Sequence, residues 1–299
     1  MKQSNQTPKP VIKTNILAYA LGLLGVLAFG ATLPVTRIAL TGFTPEFVTF
    51  ARAVIACSLA ILLLSYLRKS LFHPNNLQIF VAGIFLIFTF PGFMAIAMQT
   101  VPASQGGVVL GFLPLTTALI ARIIAQEKPS TLFWILSILG CVIVIGFVLI
   151  KAAPGADIQN LSGYLWLIAA GLTASIGYVI FGKISRTTPG WEVICRSLIL
   201  NLPLILVGFF YYYDSSVWQA DRASFAALVY LGSFSMFLAF WAWNIALAMG
   251  GIARIGQLQM LQIFFTIAIA AILLDEHIDS TTVVTAIIIT AILALMRKT

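Results

Sequence analysis

Charged side chains are scarce in this chain: Asp, Glu, Lys and Arg together make 9% of 299 residues, against 61% hydrophobic. A soluble domain carries about 25% charge, so this sequence cannot coat a folded body with a water-facing surface. Cysteine is nearly absent too. Cys57, Cys141 and Cys195 are odd in number, share no CxxC spacing and each sit inside an apolar run, which excludes a disulfide framework or a zinc site and leaves them as small buried hydrophobes. The two histidines, His73 and His277, fall between apolar runs, and no carboxylate occupies the middle of one. With no HExxH and no nucleophile–base pair at depth, a membrane-embedded hydrolase is disfavoured and no metal or cofactor is expected. There is no GxxxxGK[ST] phosphate loop, which argues against ATP-driven pumping by this chain alone.

What the chain does contain is long apolar stretches. Residues 14–36 carry no Asp, Glu, Lys, Arg or His, and as a helix rising 1.5 Å per residue they reach about 34 Å, enough to cross a bilayer core. The uninterrupted length argues for helices, because membrane strands are short and alternating. Turn formers and charges divide the sequence into ten spans: 14–40, 46–67, 77–98, 104–125, 131–150, 161–184, 191–213, 223–249, 252–274 and 280–295. The expected fold is an all-α membrane protein of ten transmembrane helices. The connections are short, which leaves no room for a soluble domain. The first apolar run lacks a small-residue cleavage site and is too long for a signal sequence, so it reads as a retained helix.

The net charge of +8 has a direction. With residues 1–13 as a cytoplasmic tail, twelve of the 17 Lys and Arg residues fall on the cytoplasmic side. Arg37, Lys151 and Arg222 fall on the other, and Arg52 and Arg196 lie within spans. That asymmetry satisfies the positive-inside rule with both termini cytoplasmic. The basicity is thus an orientation signal, and a nucleic-acid partner is not expected.

The chain also repeats itself. Thr44-Pro45 followed by Arg52 recurs as Thr188-Pro189 followed by Arg196, 144 residues on, each time opening the second helix of a half. Glu127 and Glu276 close the fourth and ninth spans, and Ala97 and Thr117 match Ala246 and Thr266. Five helices per half is odd, so the second copy crosses the membrane in the opposite sense. Inverted repeats give a transporter two near-equivalent packings, with substrate bound near the midplane. Residues 14–151 and 152–299 are the expected halves.

These features resemble the EamA-type branch of the drug/metabolite transporter superfamily, over essentially the whole chain after the first fifteen residues. Phe112-Leu113-Pro114 fits the proline usual in the fourth span, whereas Gln262-Ile263 stands at the matching place in the ninth. The resemblance implies a monomeric ten-helix exporter of amino acids, amines or similar small metabolites in the bacterial inner membrane. Its central cavity would be formed mainly by the first, third, fourth, sixth, eighth and ninth helices.

Several residues are candidates for that cavity. Gln259, Gln262 and Thr266 share one face of the ninth span, and amides in hydrocarbon need partners. They either bond to other helices or meet substrate in a wet cavity. Trp241 and Asn244 share a face in the eighth span, where an indole beside an amide could hold a ligand by stacking or cation–π attraction. Phe29, Thr32 and Tyr178 follow from the helices that line the cavity in the resembled family. Pro34 and Pro114 interrupt their helices and are candidate hinges, with a static kink as the rival reading. Arg52 and Arg196 lie about two turns inside their spans, where charge is normally paired. A gate-stabilising ion pair, such as Glu192 with Arg196 at i, i+4, is favoured over substrate recognition. The functions in competition are export of amino acids or related amphiphiles by alternating access, efflux of cationic or aromatic toxic compounds, and a non-transporting scaffold or receptor.

Overall fold

A computed structural model describes residues 11–124, 130–151, 158–251 and 255–296. Among them all regular structure is helical, with no strand. Eight helices are long and apolar enough to cross a membrane: α1 (Ile16–Ala39), α2 (Pro45–Tyr66), α3 (Asn76–Ala97), α4 (Ala103–Ile123), α5 (Thr131–Lys151), α6 (Leu161–Ile184), α8 (Arg222–Gly250) and α9 (Gly256–Leu274). Between α6 and α8, α7 is a pair, Gly190–Leu200 and Leu202–Tyr212, bent by 55°. The shorter apolar α10 (Ser280–Met296) completes a set compatible with ten spans. Glu127, Arg254 and residues 1–10 of the expected tail of residues 1–13 lie outside the described residues.

Local chemistry sets the helix ends. Thr44 accepts the Phe47 amide at 3.2 Å with Pro45 in the first position, which opens α2. Asp221 caps α8 through the Ser224 amide at 2.8 Å, and Asp279 caps α10 through the Thr282 amide at 3.0 Å. The outer surface is apolar. On α5, Ile135, Ile138, Val142 and Ile145 are exposed, while Leu136, Gly140, Val144 and Phe147 on the other face pack inward. Such a surface suits lipid rather than water.

The packing carries the repeat. α2 packs on α7, α4 on α9 and α5 on α10, each helix against its own counterpart. The remaining pairs exchange: α1 lies along α8 as α6 lies along α3, and α9 meets α1 as α4 meets α6. A pseudo-two-fold relation between halves produces that pattern, and an odd number of helices per half makes it an inverted one. Backbone irregularities obey it as well. α3 contains a π-helical segment, Ile84–Thr89, and α8 contains another, Leu231–Leu238, beginning 147 residues later.

Prolines act through the carbonyls they leave vacant. Pro34 has no N–H for the carbonyl of Gly30, four residues back, and the vacated oxygen accepts the Thr266 hydroxyl from α9 at 2.9 Å. Gly30 and Gly107 allow this approach: a Cβ on Gly30 would stand 2.8 Å from Phe265 Cβ, and one on Gly107 would stand 2.8 Å from Thr266 Cγ2. Small residues at the crossing bring α1, α4 and α9 together where lipid supplies no drive for association.

Candidate functional site

The three crossing helices wall one side of a central cavity of about 610 Å³. Every described helix except α5 contributes to its lining, with α2 (Arg52), α7 (Gly190, Ile194) and α10 (Leu293) added to the six helices expected from the sequence. The helix breaks lie at its wall. α4 consists of Ala103–Leu110 and Leu113–Ile124, interrupted at Gly111 and Phe112 just ahead of Pro114. α9 begins as a 3-10 turn, Gly256–Leu261, and becomes α-helical at Gln262. Leu113 and Gln262 are 149 residues apart, the same offset that relates Glu127 to Glu276. α9 therefore breaks at the matching place without a proline, so the absence of proline at Ile263 does not make the halves dissimilar. Thr117 donates to the Leu113 carbonyl at 2.7 Å, and Thr266 donates to that of Gln262 at 3.0 Å.

The exposed residues of the cavity lining, Pro114, Ser185 and Gln259, lie from its middle towards one end, and none lies at the other. At the near end, where α1 begins and α10 ends, its lining reaches Ala121, exposed Ser185, Gly190 and Leu247. The far end is clamped by Glu276, just beyond α9. Its carboxylate accepts the Ala103 amide at 2.7 Å, the Ser104 amide at 3.0 Å and the Ser104 hydroxyl at 2.6 Å. Arg37 of α1 approaches it at 3.7 Å and donates to the Val101 carbonyl at 2.9 Å. One acid thus caps the start of α4 and ties it to α9 and α1. A second far-end tie joins Lys151 to Asp279 at 2.6 Å. Burial works against the Asp279 charge, but Lys151 and the two bonds from Thr282 prevail and hold its carboxyl down at about 2.

Of the residues singled out from the sequence, Gln259, Gln262, Asn244, Tyr178, Phe29, Thr32, Pro114 and Arg52 line the cavity. Pro34 is buried beside it in α1, and Arg196 lies in α7 outside its lining. Trp241 requires correction. It is 39% exposed and is not in the wall, whereas Trp243 is. The lining stripe of α8 runs Phe240, Trp243, Asn244 and Leu247, and Trp241 projects about 110° from the centre of that stripe. The pairing of Trp241 with Asn244 used only their mutual spacing. Phe240 and Leu247, at i−4 and i+3 from Asn244, are the signal that would have placed the stripe.

The polar stripe of α9 divides by function. Thr266 is buried and ties α9 to α1, while the side chains of Gln259 and Gln262 line the cavity with no hydrogen-bond partner among the described residues. The two repeat-related arginines also part company. Arg196 is paired with Glu192 at 2.5 Å and donates to the Phe72 carbonyl at 3.1 Å, and Lys69 meets the same Glu192 at 3.2 Å. Arg52, 5% exposed, has one side-chain partner among the described residues, the Ser235 hydroxyl at 3.2 Å. Sequence reasoning gave both arginines a structural role, with a partner named for Arg196 alone, and it placed Glu276 at the close of the ninth span without foreseeing its capping of α4.

A helical membrane bundle of two inverted halves around a pocket open at one end defines a class, the inverted-repeat transporters. Sequence comparison then gives the family. The EamA-like transporter family matches this chain twice, over residues 16–150 and 161–297, and the chain belongs to it. The uncharacterized transporter YdeK of Bacillus subtilis is 36% identical over 282 residues, covering 93% of this chain and 96% of that protein. The uncharacterized transporter sll0355 of Synechocystis is 24% identical, covering 89% and 86%. A solved crystal structure with 20% identity superposes with a TM-score of 0.64 over 94% of this chain and 97% of the other, a likeness of fold.

Proposed function

We propose that this protein is a secondary transporter of the bacterial plasma membrane that exports small metabolites, amino acids or related amphiphilic compounds, by alternating access. The observation that carries this reading is the cavity: about 610 Å³, at the interface of the repeats, open at the near end and clamped at the far end. That volume suits a small molecule. Under the positive-inside rule the open end, with Arg68, Lys69, Lys183 and Arg186 around it, faces the cytoplasm. A pocket reached from one side and closed at the other is one of the two postures that alternating access requires. Aromatic walls (Phe29, Phe90, Trp243) beside free amides (Gln259, Gln262) fit a body that is part apolar and part polar.

Counterflow in proteoliposomes tests it. Vesicles preloaded with an unlabelled mixture of amino acids should accumulate at least one labelled amino acid or aromatic metabolite faster than protein-free vesicles. Absence of exchange for the whole panel, from monodisperse protein, would overturn the reading.

A further inference from the structure

One formal charge lines the cavity among the described residues, and it is positive. Arg52 is buried about two turns from the far, clamped end, at the bottom of a pocket that opens at the other end. A guanidinium in such a place normally has a counter-charge. Arg196, its repeat partner, shows what a structural arginine looks like in this fold: a carboxylate at 2.5 Å and a backbone carbonyl. The Nε of each arginine is buried without a partner, but Arg196 has its charge met by Glu192, whereas Arg52 has no carboxylate within ion-pair distance among the described residues. The sequence shows why. Four residues before Arg196 stands Glu192; four residues before Arg52 stands Val48.

The single bond Arg52 does make orients it. The π-helical segment of α8 carries Ser235, whose hydroxyl meets Arg52 at 3.2 Å and Thr32 of α1 at 2.8 Å, and Thr32 is also within 3.3 Å of the Ala28 carbonyl. With Arg52 donating to Ser235, Ser235 to Thr32 and Thr32 to Ala28, every hydroxyl proton is used. Nη2 is held by Ser235 and Nε is sealed within the protein, which leaves Nη1 and the second Nη2 proton for a ligand.

We propose that the missing counter-charge is the substrate's own carboxylate, bound by Arg52, with Ser235 and Thr32 as positioning residues. The transported class is then carboxylate-bearing, zwitterionic or anionic, with an apolar body against the aromatic wall, and simple cations are repelled. A planar guanidinium matches a carboxylate with two parallel bonds, which an ammonium cannot do. This rests on the transport reading for its biological meaning, but it is a statement about binding and can fail separately.

The test uses the full chain in nanodiscs and four compounds sharing one body: L-phenylalanine, 3-phenylpropionate, phenylalaninamide and phenethylamine, with the leucine series in parallel. Thermal stabilisation should be seen with the carboxylates and not with the amide or amine. Arg52→Gln should raise the half-stabilising carboxylate concentration by about tenfold or more, the size expected for losing a charged hydrogen-bond partner, and Arg52→Lys should retain part of the response. Stabilisation by amines equal to or above that by acids, an unchanged response in Arg52→Gln, or no response to any carboxylate would each overturn the proposal. If Arg52→Gln does not fold, the wild-type acid-versus-amine comparison and Ser235→Ala, expected to weaken carboxylate binding, decide it. Proteoliposome flux separates the two claims: Arg52-dependent binding without flux removes the export reading alone, and flux of amines but not acids removes the carboxylate proposal alone.

Discussion

Replacement of Glu276 offers the sharpest handle on the far-end clamp. Its carboxylate receives three hydrogen bonds from Ala103 and Ser104 and faces Arg37, with its side chain 12% exposed. Glu276→Ala removes the cap of α4 and leaves Arg37 without its anion. A helix cap is worth about 1 kcal/mol and a hydrogen bond to a charged group about 1.5–3 kcal/mol. The Arg37 contact is long and part-exposed and adds little. Because the bonds share one carboxylate and are not additive, the closed far end should lose about 3 kcal/mol in total. That corresponds to a shift of about 150-fold in the ratio of closed to open far ends. The readout is a single cysteine at Leu33, on the cavity wall, in a chain whose three native cysteines are replaced. Labelling by a membrane-impermeant maleimide added from the far side should be slow in the parent and rise at least tenfold with Glu276→Ala, with Glu276→Gln between them. Equal labelling rates in all three, with intact monodisperse protein, would refute the clamp.

Other consequences follow from the same geometry. Gly107→Val drives a branched side chain into Thr266, whose Cγ2 lies 2.8 Å from the position of a Cβ, and should cost about 1–3 kcal/mol in thermal unfolding; adding Thr266→Ala should recover part of that loss. Trp243→Ala should reduce exchange in proteoliposomes several-fold while Trp241→Ala leaves it near the parent value, because only the first lines the cavity. The Asp279 carboxyl is depressed from 3.8 to about 2 by Lys151 and Thr282 against the opposing effect of burial. Its contribution to stability is present above the ordinary carboxylate value and is lost as pH falls from about 4 towards 2; Asp279→Asn should flatten that part of the stability profile.

The fold was legible because lipid imposes few rules. Apolar length gives the spans, and the paired Thr-Pro…Arg and Glu positions give the duplication with its inversion. Helical periodicity likewise brings Gln259, Gln262 and Thr266 to one face of α9.

Tertiary structure decided what those residues meet. Thr266 is consumed by the carbonyl that Pro34 leaves vacant on another helix, while the two glutamines remain unpartnered in the cavity wall. Glu276 acts on the start of α4, more than 170 positions away in sequence. The i, i+4 spacing of Glu192 and Arg196 is readable in the chain, but that Arg52 lines a cavity with no acid beside it among the described residues is not. Periodicity fixes angles around one helix axis, whereas pairing depends on how separate helices are rotated against each other, and that rotation is set by the packing of the whole bundle.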